Sequence, residues 1–432
     1  MNSVAWPVSR TERFLLAALL LVVPLLEVPK HLFWVAWVGV SLTMLWRGRG
    51  LGGPAQSGWQ PWDALLGAVL VAALLAGAGF ADPGSSLAAT GDTLRLVSVP
   101  WLMARRGYRV ADCLPLLWAA LAGTVLATVW GFIDIFRATA PMFLELNSVG
   151  HVNHSSIYLA IAFGCALGLA LADRAQGRGL ALAAALLLAA ALMATGSRAS
   201  AGAAVGFVLL LGWSAPFSGT DPARAARRRL RFRVGLLVLV LAAGGVYRLA
   251  TGLSDKRLQP EGQGLIEKFV FQASVGAPTS HRDGLLRLAL AAAGAHPLVG
   301  LGNGGFRRLT PERVCAEIIV PPAGQPCDTA RYFFSSHAHS LYANTLAERG
   351  LVGLAALLAL LGAWALRLRR TLDWARADHR QAGIWVASLA GLSVTAFAGL
   401  LNTSLHHEHG LLAMATLGML LAASAPPRGA PA

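Results

Sequence analysis

Apolar runs recur almost from one end of this chain to the other. Hydrophobic residues make up 56% of its 432 residues and charged residues only 13%, and the mean hydropathy is +0.58. A water-soluble domain has no place for so many long apolar segments, whereas a bilayer accommodates each of them as a helix. The sequence therefore predicts an all-α polytopic membrane protein.

Twelve of these runs are candidate transmembrane helices, although several are shorter than the roughly 20 residues that cross a bilayer unaided. They divide the chain into helices 1–9 within residues 1–250, one hydrophilic segment at 251–349, and helices 10–12 with a short tail within 350–432. The twelve runs are 14–28, 31–46, 63–81, 93–104, 113–134, 155–172, 178–195, 199–214, 234–250, 350–366, 382–401 and 410–424.

The connections between these runs alternate in charge. If the N-terminus is cytoplasmic, every inner connection carries arginine, and the densest cluster lies between Arg224 and Arg233. Short basic loops stay on the cytoplasmic side, which predicts that both termini are cytoplasmic and that segment 251–349 is outside. The net charge of +15 is spread over these short clusters without a nucleic-acid motif. We therefore expect contact with membrane lipids and no binding of nucleic acid.

The four cysteines divide between two environments. Cys113 and Cys165 lie at or within apolar runs and are interpreted as small apolar residues. Cys315 and Cys327 both lie in the outer segment, where oxidising conditions permit a bond. The sequence predicts a disulfide between them, closing a loop around Pro321-Pro322.

The outer segment also contains one amphipathic helix candidate, Asp283 to Ala295, with Thr279 or Ser280 as its cap and His296-Pro297 as its end. A glycine-rich stretch follows at 300–305. It comes after a helix and not after a strand, so a dinucleotide-binding loop is disfavoured and a tight turn that returns the chain to the membrane surface is expected.

Two arginines lie beside small residues at predicted outer positions. Arg198 follows Thr195-Gly196-Ser197 between two apolar runs, where it is either an interfacial arginine or a binding group for an anion. Arg282 either forms a surface ion pair with Asp283 or joins Arg198 in a two-cation clamp. Guanidinium groups match phosphate oxygens in shape and charge, so a clamp would suit a phosphorylated ligand.

Histidines are frequent at the same predicted side. His337 and His339 close the outer segment, and each is either a structural residue or a general base. Asn153, His154 and Ser155 could bind sugar hydroxyls, although capping of the next helix also explains a serine there. A third group, His406, His407, Glu408 and His409, has no HExxH pattern, and we expect an interfacial loop there and no metal site.

Several of these stretches together resemble the O-antigen ligase and polymerase family of bacterial envelope glycosyltransferases. The run His339-Ser340-Leu341-Tyr342 is followed by Glu348-x-Gly350-x-x-Gly353, similar to that family's histidine and Glu-x-Gly-x-x-Gly elements. Further similar elements are Ser280-His281-Arg282, His296-Pro297-Leu298-Val299-Gly300-Leu301-Gly302, and the turn Thr195-Gly196-Ser197-Arg198.

The resemblance implies a twelve-span fold similar to the GT-C glycosyltransferase architecture, in the bacterial inner membrane, with its active site facing the periplasm. It implies an undecaprenyl-pyrophosphate-linked polysaccharide donor, a lipid A core acceptor, inverting transfer, and no cofactor or metal. Arg198 and Arg282 would bind the pyrophosphate, and His339, with His337 as its partner, would activate the acceptor hydroxyl. Ser340 and Tyr342 would join Asn153, His154 and Ser155 in binding substrate. Ligase activity is favoured over O-antigen polymerase, and a transporter of lipid-linked glycan is the alternative of another class.

Overall fold

A computed structural model describes residues 8–47, 60–78, 83–138, 143–173, 175–214, 230, 232–235, 237–238, 281–319 and 326–425. Within them the regular secondary structure is helical, and no strand is present apart from one isolated bridge. Thirteen helices are labelled in chain order: α1 Arg10–Val22, α2 Glu27–Trp46, α3 Pro61–Ala78, α4 Pro83–Arg106, α5 Val110–Arg137, α6 Val152–Ala172, α7 Ala175–Ala194, α8 Arg198–Ser214, α9 Arg282–Ala295, α10 Leu341–Arg370, α11 Leu372–Ala377, α12 His379–Ala398 and α13 His407–Ala423. Shorter turns lie between α9 and α10, at Phe306–Arg308, Pro311–Arg313 and Val314–Ile319.

The all-α prediction is confirmed within the described residues. Six helices, α2, α5, α6, α7, α10 and α12, are long and apolar enough to cross a membrane. Large apolar side chains also point away from the bundle, such as Leu32, Leu180 and Leu209, which are each about two-thirds exposed. An apolar outer surface of this extent suits lipid and not water, as expected for a multi-pass membrane protein.

The predicted boundaries need correction at three places. The run 14–28 crosses a break, since α1 ends at Val22 and α2 begins at Glu27. The short run 93–104 is part of the 24-residue helix α4. The run 350–366 lies inside α10, which has 30 residues and begins at Leu341. The predicted span 234–250 lies almost entirely outside the described residues, and twelve spans remain a prediction.

Helix α6 forms the centre of the bundle, and nearly every residue from Ser155 to Ala170 is buried. It packs most extensively against α12, because glycines bring the two backbones together. A Cβ atom on Gly164 would collide with Ala390, and one on Gly168 would collide with the backbone of Gly383. Small residues spaced by four along a helix permit this close approach in membranes.

Helix α10 is broken at Gly350, and the glycine-rich stretch after α9 fills the break. Gly350 has φ 61° and ψ −161°, a conformation outside the helical region. The N–H groups of Leu301 and Gly302 donate to the carbonyls of Ala347 and Glu348 at 2.8 and 2.9 Å. In return, the N–H of Leu351 donates to the Pro297 carbonyl at 2.8 Å. The predicted tight turn therefore has a further role, since it satisfies the backbone groups that the kink releases.

The outer segment has a small apolar core of its own, separate from that of the bundle. Leu285 and Leu288 of α9, Phe306 of the following turn, and Ala347 of α10 are buried together there. The first turns of α10, up to the kink, thus pack with the outer segment. Cys315 and Cys327 are bonded to each other, with their Cα atoms 5.9 Å apart, and they are the pair predicted from the sequence.

Helix ends that were predicted to share one side of the membrane do meet in the structure. At the end predicted to be outside, Lys30 of α2 donates to Glu408 of α13 at 2.5 Å and to the Ser148 hydroxyl at 3.0 Å. At the opposite end, Arg106 of α4 donates to both carboxylate oxygens of Glu12 at 2.5 and 2.7 Å. We call these the outer and inner ends of the bundle.

Candidate functional site

The residues singled out from the sequence lie at or next to the N-termini of five helices at the outer end. Arg198 is the first residue of α8, and Arg282 is the first residue of α9. His339 precedes the Ser340 cap of α10, His151 caps α6, and His407 begins α13. The N-terminus of a helix carries partial positive charge and unpaired N–H groups. The outer end therefore combines cationic side chains with helix dipoles of the same sign.

The two arginines are brought close enough to influence each other. Burial, followed by the charge of Arg198, lowers the pKa of the Arg282 guanidinium. The Nε atom of Arg282 is buried without a hydrogen-bond partner among the described residues. The α9 cap differs from the prediction, because His281 occupies the N-cap position without a side-chain hydrogen bond, while Thr279 and Ser280 lie outside the described residues. Two like charges at one site favour an anion between them.

His339 lies beside this pair. Burial and then the charge of Arg282 lower the pKa of the His339 imidazole, and they outweigh the side-chain amide of Asn402, which favours the protonated ring. Both amide atoms of Asn402 are buried without a partner of full hydrogen-bond geometry among the described residues. An imidazole in this setting is neutral at pH 7, which is the form a general base requires.

The segment that carries His339 is fixed on both sides. The N–H of Ala338 donates to the Asn344 side chain at 3.1 Å. The N–H of Leu341 donates to the Gly399 carbonyl at 2.7 Å, and the Ser340 hydroxyl donates to the same carbonyl at 3.2 Å. These bonds hold the imidazole between the ends of α10 and α12, and a rigid segment is what a positioned catalytic group needs.

Backbone strain is concentrated at the same place. Among the described non-glycine residues, positive φ angles occur at His281 (63°), His339 (47°) and His407 (49°). Such angles are uncommon for residues with a side chain and tend to gather at functional sites. The His281 ring is also stacked on the Phe333 ring, with the two ring centroids 4.6 Å apart and an angle of 6° between the planes.

A cluster of histidines extends from this site, and the sequence did not reveal its extent. The ring of His154 lies 4.8 Å from that of His406, 5.3 Å from that of His407 and 5.3 Å from that of His409. His337 lies 5.4 Å from His406. Burial lowers the pKa of His337 to about 4 and that of His406 well below its usual value. The imidazoles of His337 and His406 are therefore uncharged at neutral pH.

The other predicted binding residues have hydrogen bonds within the protein. The Ser155 hydroxyl is buried, accepting from the Leu146 N–H at 2.8 Å and donating to the Gly150 carbonyl at 2.7 Å. The Tyr342 hydroxyl donates to the Ala396 carbonyl at 3.0 Å. Ser155 does not cap α6, a position taken by His151, whose side chain accepts from the Asn153 N–H at 3.2 Å. These side chains hold the walls of the site.

The histidines do not form a metal-binding set in this arrangement. Within the described part of the chain, no three His, Cys, Asp or Glu side chains are placed to hold one ion. The Nε2 atom of His406 bonds to the Thr403 hydroxyl at 2.7 Å, and that of His409 bonds to the Thr403 carbonyl at 3.2 Å. Glu408 is engaged by Lys30.

Fold and site together define an all-α membrane protein that gathers two arginines and a neutral imidazole where helix N-termini meet. Comparison with known protein families and with curated protein sequences finds no match for this chain. The function is therefore argued from the residues of the site.

Proposed function

We propose that this protein is a glycosyltransferase of the O-antigen ligase type. It transfers polysaccharide from undecaprenyl pyrophosphate to lipid A core at the periplasmic face of the bacterial inner membrane. The observation that carries the proposal is the convergence of Arg198, Arg282 and His339 at the outer end of an apolar helical bundle. A diphosphate is the ligand that best suits two adjacent, partly buried guanidinium groups.

The first role of the site is to stabilise the leaving group. When the bond between the anomeric carbon and the diphosphate breaks, negative charge develops on the phosphate oxygens. Arg198 and Arg282 supply positive charge that is in place before the reaction, and the N-termini of α8 and α9 add to it. Preorganised charge in a site with little water stabilises a transition state strongly.

The second role is to activate the acceptor. A hydroxyl of the acceptor sugar attacks the anomeric carbon from the side opposite the diphosphate, and its proton passes to the neutral His339 imidazole. One carbon–oxygen bond forms as the other breaks, the configuration inverts, and undecaprenyl pyrophosphate leaves. The lowered pKa of His339 keeps the imidazole able to accept that proton at neutral pH.

The deciding experiment is transfer by the purified protein in proteoliposomes with the lipid-linked polysaccharide and lipid A core. We expect product with inverted anomeric configuration and with undiminished yield in EDTA. Movement of the lipid-linked glycan across the bilayer without any product would instead support the transporter. Restoration of long-chain lipopolysaccharide in a strain lacking the ligase, but not in one lacking the polymerase, would identify the acceptor.

A further inference from the structure

A cavity lies between α3, α4, α10 and α13, with His337 in its lining. Its volume is about 320 Å³, which is within the usual range for small-molecule sites. Neither Arg198, Arg282 nor His339 lines it. His337 lines it, although His339, two residues further along the chain, does not.

The cavity changes in character along its length. Towards the middle of the bundle its walls are apolar, with Val69 of α3, Leu96 of α4, Leu357 and Leu360 of α10, and Met414 of α13. These residues lie well inside their helices. Helix α10 is long and apolar enough to cross a membrane, and α3 is a shorter apolar helix. A hydrocarbon chain is the ligand that suits such walls.

Towards the outer end the same cavity becomes polar and cationic. Arg307 is exposed on its rim, and it is close enough to His337 that its charge lowers the pKa of that imidazole, after burial and two neighbouring histidines. Arg349 also lines it and donates to Asn303 and Thr93, at 2.8 Å each. An anionic group is the ligand that suits this end.

The carboxylates at the cavity do not cancel this charge. Asp92 forms an ion pair with Arg95 at 3.4 Å. Glu348 is buried and accepts the N–H of Phe306 at 3.3 Å, beside its neighbour Arg349. Arg307 therefore remains the cation that a ligand entering from the outer end meets first.

We infer that this cavity binds the acceptor: an acyl chain lies against Leu96 and Leu357, and a phosphate of the acceptor lipid lies at Arg307. The inference rests on the proposed function, which requires two lipid substrates side by side. The donor diphosphate occupies the arginine pair, and the acceptor enters from the side of His337. Arg307 then determines specificity for a phosphorylated acceptor and takes no part in the transfer itself.

The test measures binding of two probes to the purified, full-length protein. One probe is lipid A core with its phosphates, and the other is the same glycolipid after enzymatic dephosphorylation. Arg307→Gln should weaken binding of the phosphorylated probe about three- to tenfold, because an exposed charge pair is partly screened. It should leave the dephosphorylated probe unaffected. Arg313→Gln is the matched control, since Arg313 is a partly exposed arginine of the same segment that pairs with Glu317.

A second pair of variants tests the apolar part. Ala89→Phe places a ring at the cavity wall and should weaken both probes, whereas Leu94→Phe changes an exposed residue of the same helix outside the cavity and should weaken neither. Unchanged binding in both Arg307→Gln and Ala89→Phe would overturn the inference. Displacement of an ordinary phospholipid, but not of the acceptor lipid, by Ala89→Phe would overturn it as well.

The two proposals fail in different ways. If the variants bind the two probes as expected but the purified protein makes no product, the acceptor site is supported and the proposed reaction is wrong. If product forms but Arg307→Gln and Ala89→Phe keep the wild-type KM for the acceptor, the proposed reaction is supported and the acceptor site is wrong. Binding of undecaprenyl pyrophosphate should be unchanged in all four variants, because none of these residues lies at the arginine pair.

Discussion

Arg106 and Arg282, at opposite ends of the helical bundle, differ in how their charge is accommodated. At the inner end, Arg106 and Glu12 are almost completely buried and satisfy each other with two hydrogen bonds. At the outer end, Arg282 is partly buried beside another arginine, and its Nε atom has no partner among the described residues. A buried ion pair needs nothing further, whereas two neighbouring cations are at a disadvantage until an anion arrives. The inner pair thus has a structural role, and the unpaired Nε atom of Arg282 supports the proposed binding of an anion at the outer pair.

The largest effect expected from this contrast is on transfer by arginine variants at the outer end. Arg282→Ala or Arg198→Ala should lower the rate of transfer by about 10²- to 10³-fold, the usual cost of losing a group that stabilises developing negative charge. Lysine should restore little, because it lacks the planar fork. Thermal unfolding of Arg282→Ala should be unchanged or shifted upwards, since one of two like charges has gone.

The control is Arg287→Ala, an exposed arginine on the same helix α9. It should retain wild-type transfer and the same unfolding temperature. If Arg282→Ala instead destabilised the protein as much as it reduced transfer, the outer arginine would be structural, and the difference between the two ends would disappear.

The inner pair should show the reverse result. Arg106→Ala leaves the buried Glu12 carboxylate without its charged partner, with the Ser9 N–H still donating to it at 3.0 Å, and should cost about 3–5 kcal/mol of unfolding free energy. Thermal unfolding in detergent measures this loss. The double variant Glu12→Leu with Arg106→Met should recover most of it, because apolar residues of similar size replace a buried pair at little cost. If Arg106→Ala were as stable as wild type, the Arg106–Glu12 pair would contribute nothing to the stability of the fold.

The next largest effect is on stability, at the Gly350 kink of α10 and its contacts with the glycine-rich stretch. Gly350 adopts a φ and ψ that only glycine tolerates well, and a Cβ atom there would meet the backbone of Leu298 and Val299. Gly350→Ala should therefore cost about 2–4 kcal/mol of unfolding free energy. Gly362→Ala is the matched control in the same helix, where a Cβ meets nothing within 4 Å. That variant should be neutral or up to about 1 kcal/mol more stable.

Gly350 also shows what the sequence could and could not predict about the fold. Apolar runs located most helices, because bilayer-compatible composition is a local property. The first turns of α10 were missed, because their polar residues face the outer segment and only the contacts from Pro297 to Gly302 complete the broken helix. Helix α4 was predicted too short for the same reason. Thr90 and Thr93 on its polar face form hydrogen bonds with Asn303 and Arg349, which are distant in sequence.

The candidate site was predictable to a similar degree. Arg198 stands out locally as a charged residue next to small ones at the end of an apolar run, and Arg282 and His339 stand out within the hydrophilic segment 251–349. Their proximity, and the packing of His154 against His406, depend on the arrangement of α6, α8, α9 and α13. No local pattern contains that arrangement.

Removal of the disulfide should have a smaller effect, confined to the outer segment. Cys315 and Cys327 are 12 residues apart, and closing a loop of that size contributes about 2–3 kcal/mol to the segment's stability. Replacing both by serine should increase hydrogen exchange around Val314–Ile319 while leaving transfer within about twofold, because neither cysteine contributes a charged or titratable group to the proposed site. Hydrogen exchange in the part of α4 at the inner end should be unchanged.

The last effect expected is a dependence of stability on pH that arises from the histidines at the outer end. His337 faces His407 and His406 from the start of α13, His339 from its own segment, and Arg307. Burial and these neighbours lower its pKa to about 4 in the folded protein, against 6.5 for the unfolded chain. The unfolded chain therefore binds the proton more readily. The stability that neutral His337 confers is complete above pH 6.5 and is lost as the pH falls towards 4.

Thermal unfolding between pH 7.5 and 4.5 measures this loss, and His337→Asn should make the curve shallower. His31→Asn serves as the control, because His31 is half-exposed on α2 and lies outside the cluster. Transfer should fall only as the pH passes through the lowered pKa of His339, since His339 must be neutral to accept a proton. A pH dependence that is identical in wild type and His337→Asn would place the titrating groups elsewhere, and the outer end would then be no more sensitive to protons than the inner one.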